Sequence, residues 1–93
     1  MLIKTESGFE CEVKENAFDD YRVMKIISRI EDGSTQEQLS GIISLMERIL
    51  GAEQEEALII RLEELSEDGI ATTGAMFEEL KDIMGKVLAS KKN

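Results

Sequence analysis

The side chains here that could do chemistry are mostly carboxylates, and several come in adjacent pairs: Asp19-Asp20, Glu55-Glu56, Glu63-Glu64 and Glu78-Glu79. General acid–base work needs two such groups converging on one reacting bond. Neighbouring positions on a helix point about 100° apart, so these pairs diverge and read as solvated faces. Cys11 is the single thiol. It alternates with Glu10 and Glu12, whose charges disfavour a thiolate, and the chain has no His to serve as its base. A small buried hydrophobe is the expected role for Cys11. With no imidazole anywhere, every mechanism that uses one as acid, base or metal ligand is excluded. One Cys likewise excludes an intramolecular disulfide and a multi-Cys zinc site. The expectation is a protein that is not an enzyme and carries no cofactor or metal.

Two further motifs fail on inspection. If Gly69 is the sixth position of an EF-hand loop, position twelve is Ala75, where a bidentate Glu is required. If Gly33 takes that place, Ile30 falls on a ligand position and Leu39 on the twelfth. Both Asp-Gly steps therefore read as turns between helices. Ser66-Glu67-Asp68 lacks the Asp-Ser-Leu attachment triplet of acyl carrier proteins, because an acid follows the serine.

These groups must be positioned by 93 residues, enough for one domain spanning residues 1–93. Residues of the set AVILMFWYC make up 42%, too many for a wholly disordered chain. Asp and Glu number 20 against 11 Lys and Arg, for a net charge of −9. That balance disfavours a grip on nucleic-acid phosphate or an anionic membrane. The opening Met1-Leu2-Ile3-Lys4-Thr5-Glu6 has no apolar signal core, and the longest apolar run is Ala57 to Ile60. The sequence predicts a soluble chain kept in the cytoplasm.

Residues 1–13 read as a β-hairpin. Phe9, Cys11 and Val13 alternate with glutamates, and Ser7-Gly8 supplies the turn. From residue 16 the period becomes helical, and four helices are expected. The first starts at a candidate cap, Asn16, carries Phe18, Tyr21, Val23, Met24, Ile26, Ile27 and Ile30, and stops at Asp32-Gly33. The second starts at Ser34 or Thr35 with the spacing of a capping box to Glu37 and places Leu39, Ile42, Ile43, Met46, Ile49 and Leu50 on one face. Gly51 is its expected stop, and Gly41 inside it is explained either by a close helix–helix approach or by neutral drift. The third runs from about Ala52 to Ser66 on Leu58, Leu62 and Leu65; the fourth starts near Thr72 or Thr73. Residues 91–93 are expected to fray. The fold class is thus α+β and predominantly α, an N-terminal hairpin packed on about four helices.

The fourth helix carries more apolar surface than one stripe. Met76, Leu80, Ile83 and Val87 form one row, and Phe77, Met84 and Leu88 a second. Ile60 stands off the core face of the third helix among glutamates. Surplus apolar surface on a small acidic domain often marks an interface, and flexible Met side chains suit varied partners; the alternative is that the other three helices and the hairpin bury both stripes. Ile60, Met76, Phe77, Met84 and Leu88 are therefore the candidate partner-binding residues. The stretch from Glu53 to Glu79 holds nine acids and one base, Arg61. An alternative reading follows from it: an acidic inhibitor that mimics DNA and blocks a nucleic-acid-binding enzyme.

The order of motifs also resembles a known family. Lys4-Thr5-Glu6-Ser7-Gly8-Phe9-Glu10-Cys11-Glu12-Val13 leads into Asn16-Ala17-Phe18-Asp19-Asp20-Tyr21, followed later by Leu50-Gly51-Ala52-Glu53-Gln54-Glu55 and Glu67-Asp68-Gly69. This resembles the small tail assembly chaperones of long-tailed bacteriophages and prophages, of the siphophage type found in Gram-positive hosts. The resemblance implies a non-enzymatic protein that coats the tape measure protein and helps recruit tail tube subunits. It implies self-association, a place in the host bacterial cytoplasm and absence from the mature virion. Many such proteins have a longer frameshifted form, and Lys91-Lys92-Asn93 could be encoded by a slippery run.

Overall fold

A computed structural model describes residues 1–90 of the chain, so the frayed tail expected at 91–93 lies outside the described residues. The chain opens with the expected hairpin, β1 (Leu2–Lys4) antiparallel to β2 (Glu10–Glu12), with Ile3 opposite Cys11. The inward side chains Ile3, Thr5, Phe9, Cys11 and Val13 are all buried, while Leu2, Lys4, Glu6, Glu10 and Glu12 face out. Period two in the sequence is thus period two in burial.

The first helix starts later than Asn16 predicts. A 3-10 turn at Ala17–Asp19 swings Phe18 into the core, and no side-chain bond caps it at Asn16. The helix proper, α1 (Tyr21–Asp32), begins at Asp20, whose carboxylate accepts from the Arg22 amide at 3.0 Å. Its apolar face is narrower than expected: Val23 is buried, Ile26, Ile27 and Ile30 half-buried, and Tyr21 and Met24 exposed.

The expectation of about four helices is corrected to three among the described residues. The second and third expected helices form one element, α2 (Thr35–Leu65), whose only non-helical residue is Gly51 at φ 77°, ψ 163°. No loop separates the halves. A single glycine in a region of backbone space that side chains avoid redirects the chain, and helix resumes at once. Straight, this element would be about 46 Å long at 1.5 Å per residue. The molecule's longest extent is 36 Å, so the bend is what lets α2 fit. The Ser34–Glu37 capping box forms as its spacing predicts. The last helix, α3 (Thr73–Ser90), starts where expected, with the Thr72 hydroxyl accepting from the Ala75 amide.

α1 packs chiefly on the first half of α2. Gly41 is the close-approach point, because a Cβ there would lie 2.6 Å from Ile30 Cγ1. The core is sealed by Leu45, Met46 and Leu58 of α2, Leu80, Ile83 and Val87 of α3, and the inner face of the hairpin.

Gly51→Ala should destabilise the chain by about 1–3 kcal/mol through backbone strain alone, since an added Cβ meets nothing within 4 Å. Gly85→Ala, inside α3 and equally unobstructed, should stabilise it by up to about 1 kcal/mol. Urea unfolding of the two variants reads both signs; a neutral Gly51→Ala would show that the bend does not need glycine.

Candidate functional site

Three helices and a hairpin of this size leave surface features of two kinds, a polar cluster that fastens the hairpin and apolar side chains that nothing covers. The polar cluster is built around the turn at residues 5–8. Glu79 of α3, only 6% exposed, accepts from the Thr5 hydroxyl at 2.8 Å and from the Ser7 hydroxyl at 2.7 Å. Asp82, one turn on, accepts from the Glu6 amide at 2.7 Å and pairs with Lys86 at 2.6 Å. From α2, Arg61 Nη2 donates to the Ser7 carbonyl at 2.8 Å. Gly8 lets the guanidinium approach, for a Cβ there would lie 3.0 Å from Nη2. Arg61 Nε is buried and has no partner among the described residues. The bond from Lys86 holds the Asp82 carboxyl below its ordinary value, and Asp82 in turn raises Lys86. The adjacent pair Glu78-Glu79, expected to be solvated, is therefore split: Glu78 is exposed and Glu79 is a buried acceptor.

This cluster is structural. Its carboxylates are committed to hydroxyls, an amide and an ammonium. Cys11 is buried, its thiol raised by burial first and then by Glu79 and Glu12, as an inert side chain requires. No group of three or more His, Cys, Asp or Glu among the described residues could hold a metal ion. A groove of about 870 Å³ runs between β2, the 3-10 turn and the bend, and includes Lys14, Asp20, Arg48 and Gln54. Within it Arg48 binds Asp20 at 2.9 Å and Gln54 is bonded to Glu12, so these groups are occupied with one another.

The candidate partner-binding residues fall into two groups. Met76, Phe77 and Met84 are half-buried against the core. Ile60 and Leu88 are exposed, at 46% and 43%. Phe77, Met84 and Leu88 do share one stripe of α3, about 180° around the helix from Glu79, Asp82 and Lys86. The Lys81 ammonium lies 5.3 Å from the centre of the Phe77 ring at the edge of that stripe. Ile60 does not join it. It sits about 160–200° from Leu58 and Leu62 on α2 and so points away from the core.

Further apolar side chains stand exposed that periodicity had assigned to the core: Leu39 at 43%, Ile43 at 55%, Leu65 at 55% and Met24 at 49%. Leu39 and Ile43 are one turn apart on α2, each about 160–200° from Gly41, hence on the flank turned away from α1. The arc gave no signal of this, since Leu39 lies at the same angle on α2 as the buried Met46 and Leu50; position along the helix, not around it, leaves Leu39 and Ile43 uncovered. No helix among the described residues is long and apolar enough to cross a membrane. Comparison with known proteins finds no match: no protein-family model, no curated protein and no solved structure is detectably similar to the chain.

Glu79→Ala would remove the carboxylate to which the Thr5 and Ser7 hydroxyls both donate, leaving the two with each other at 3.1 Å, and should cost about 1–3 kcal/mol; Glu78→Ala, at an exposed position, should be near neutral by the same urea titration. Glu55 gives a pH signature. Burial first, then the charges of Glu47 and Glu56, raise its carboxyl above 4.5. The folded chain therefore holds that proton more tightly than the unfolded one, and this group's contribution falls as pH rises above 4.5. Glu55→Gln should raise the melting temperature at pH 7, and the gain should shrink towards pH 4. A gain that persists unchanged at pH 4 would show that charge is not its cause.

Proposed function

We propose that this chain is a non-enzymatic assembly chaperone that binds the tape measure protein of a long-tailed phage and helps recruit tail tube subunits. The reading rests on the resemblance of its hairpin and turn motifs to that family. The observation that carries it is the pair Leu39 and Ile43, apolar, adjacent and uncovered on an acidic domain, with the Phe77–Met84–Leu88 stripe as a second apolar flank. A client helix with an apolar face would dock on such surface by laying that face into it. The net charge of −9 keeps the carrier soluble while the surface stays open.

The DNA-mimic reading draws on the exposed acids Glu53, Glu56, Glu63, Glu64, Glu67 and Asp68. It is the weaker of the two, because Ile60 interrupts that face and mimicry leaves Leu39 and Ile43 without a role.

The test is co-expression of the chain with a phage tape measure protein followed by co-purification and a turbidity assay. The wild type should hold the client in solution. Leu39→Lys with Ile43→Lys, both at exposed positions, should abolish co-purification while circular dichroism shows an unchanged fold. Binding that survives in this double variant and in Met84→Lys/Leu88→Lys would overturn the proposed docking surface. Binding to the wild type that collapses between 0.1 and 1 M salt, roughly a drop in Debye length from 10 to 3 Å, would favour charge over apolar docking.

A further inference from the structure

The acidic character of the chain hides a basic groove. Three of its four arginines stand on one side of the α1–α2 pair: Arg22 and Arg29 of α1 and Arg48 of α2. Together with Lys25, half-buried Ile26 and Ser44 they line a groove of about 250 Å³. Arg48 is already held by Asp20. Arg22, Lys25 and Arg29 are exposed and form no ion pair among the described residues. They recur at i, i+3 and i+7, so all three fall within an arc of about 60° on α1.

The second half of α2 carries the converse. Glu53, Glu56, Glu63 and Glu64 are exposed and fall, with Ile60 in their midst, within an arc of about 100° turned away from the core. None of them forms an ion pair among the described residues. This ridge is also short of cations: Arg61, the one base in the stretch, is turned to the hairpin and spent on Ser7. Beside it, Glu55 feels the uncompensated charges of Glu47 and Glu56.

We propose that the glutamate ridge of one copy of this chain docks in the arginine groove of another. Glu56 and Glu63 are seven residues apart, as are Arg22 and Arg29, so both pairs are separated by about 10.5 Å along their helices. Ile60, 46% exposed at the centre of the ridge, meets Ile26 on the floor of the groove. The two surfaces lie on opposite sides of the Gly51 bend and make no ion pair with each other within one copy. The contact is heterologous, groove to ridge, so each copy keeps one free groove and one free ridge and the association grows into rings or open chains. It uses neither Leu39, Ile43 nor the α3 stripe, and stands or falls independently of any client.

Sedimentation equilibrium of the full chain tests this. In 0.1 M salt the wild-type mass should rise with concentration. Arg22→Glu/Arg29→Glu and Glu56→Lys/Glu63→Lys, all at exposed positions, should each weaken association at least about tenfold, because like charges then face across the contact. In the first double variant an acidic ridge meets a groove whose two outer cations are reversed, with Lys25 and Arg48 kept; in the second the basic groove meets a ridge whose Glu56 and Glu63 positions are reversed, with Glu53 and Glu64 kept. Mixing them should restore association, with the two alternating. A monomeric wild type at millimolar concentration would overturn the proposal. So would two reversed variants, each folded by circular dichroism, that fail to associate when mixed or that associate alone as well as the wild type.

Discussion

The bend at Gly51 is the constraint on which the rest of the molecule depends. Sixteen residues before it and fourteen after it are helical, and neither half could reach its contacts if the axis ran straight. The bend is held from one side by Gln54. Its amide nitrogen donates to the Leu50 carbonyl at 2.8 Å, taking up an acceptor that the interrupted helix leaves behind. The same side chain accepts from the Glu12 amide and donates to the Glu12 carbonyl. Gln54 thus offers β2 the donor and acceptor that a third strand would offer. A two-stranded hairpin is marginal by itself in water; here its outer edge is closed by one glutamine, whose position depends on where the helix turns.

The hairpin is fastened a second time at its turn, and this divides the labour of α3. Its polar side, Glu79, Asp82 and Lys86, is spent on residues 5–8. Leu80, Ile83 and Val87 face the core. Glu78, Lys81, Gly85 and Ala89 face solvent, and the flank of Phe77, Met84 and Leu88 is left partly open. The surplus of apolar residues on this helix therefore follows from geometry: with hydrogen bonds on one flank and the core beneath, the opposite flank is only half covered by the described residues. At Leu39 and Ile43 the cause is position along α2: the same face is sealed farther on, at Met46 and Leu50, and the described residues leave its first turns open.

Local rules were legible in the sequence wherever one residue type decides one conformation. The alternation of the hairpin, the Ser34–Glu37 box, the start of α3 at Thr72–Thr73 and the close approach at Gly41 all belong to this class. What could not be read depends on partners distant in sequence. Glu79 looks like any glutamate on a solvated face until Thr5 and Ser7, more than seventy residues earlier, are placed against it. Gly51 reads as a stop because glycine ends helices; that helix restarts without a loop is decided by Gln54 and Glu12. Asn16 reads as a cap, but burial of Phe18 tightens the following turn and hands the cap to Asp20. Leu39 and Ile43 have core-like spacing, and only their place on the first turns of α2 leaves them outside.

Charge is segregated along the chain, and the fold keeps it so. With Arg61 drawn into the hairpin turn, the second half of α2 keeps acids alone on its outer face, while α1 and the first half of α2 collect Arg22, Lys25, Arg29 and Arg48. Within one copy the two charged surfaces make no ion pair with each other among the described residues. Net charge alone, −9, would predict only mutual repulsion between copies. Over a contact of about 10 Å, comparable to the Debye length at 0.1 M salt, local pattern outweighs that average. In the proposed association, repulsion between whole molecules would set how far an assembly grows, and the facing stripes would set how its members are aligned.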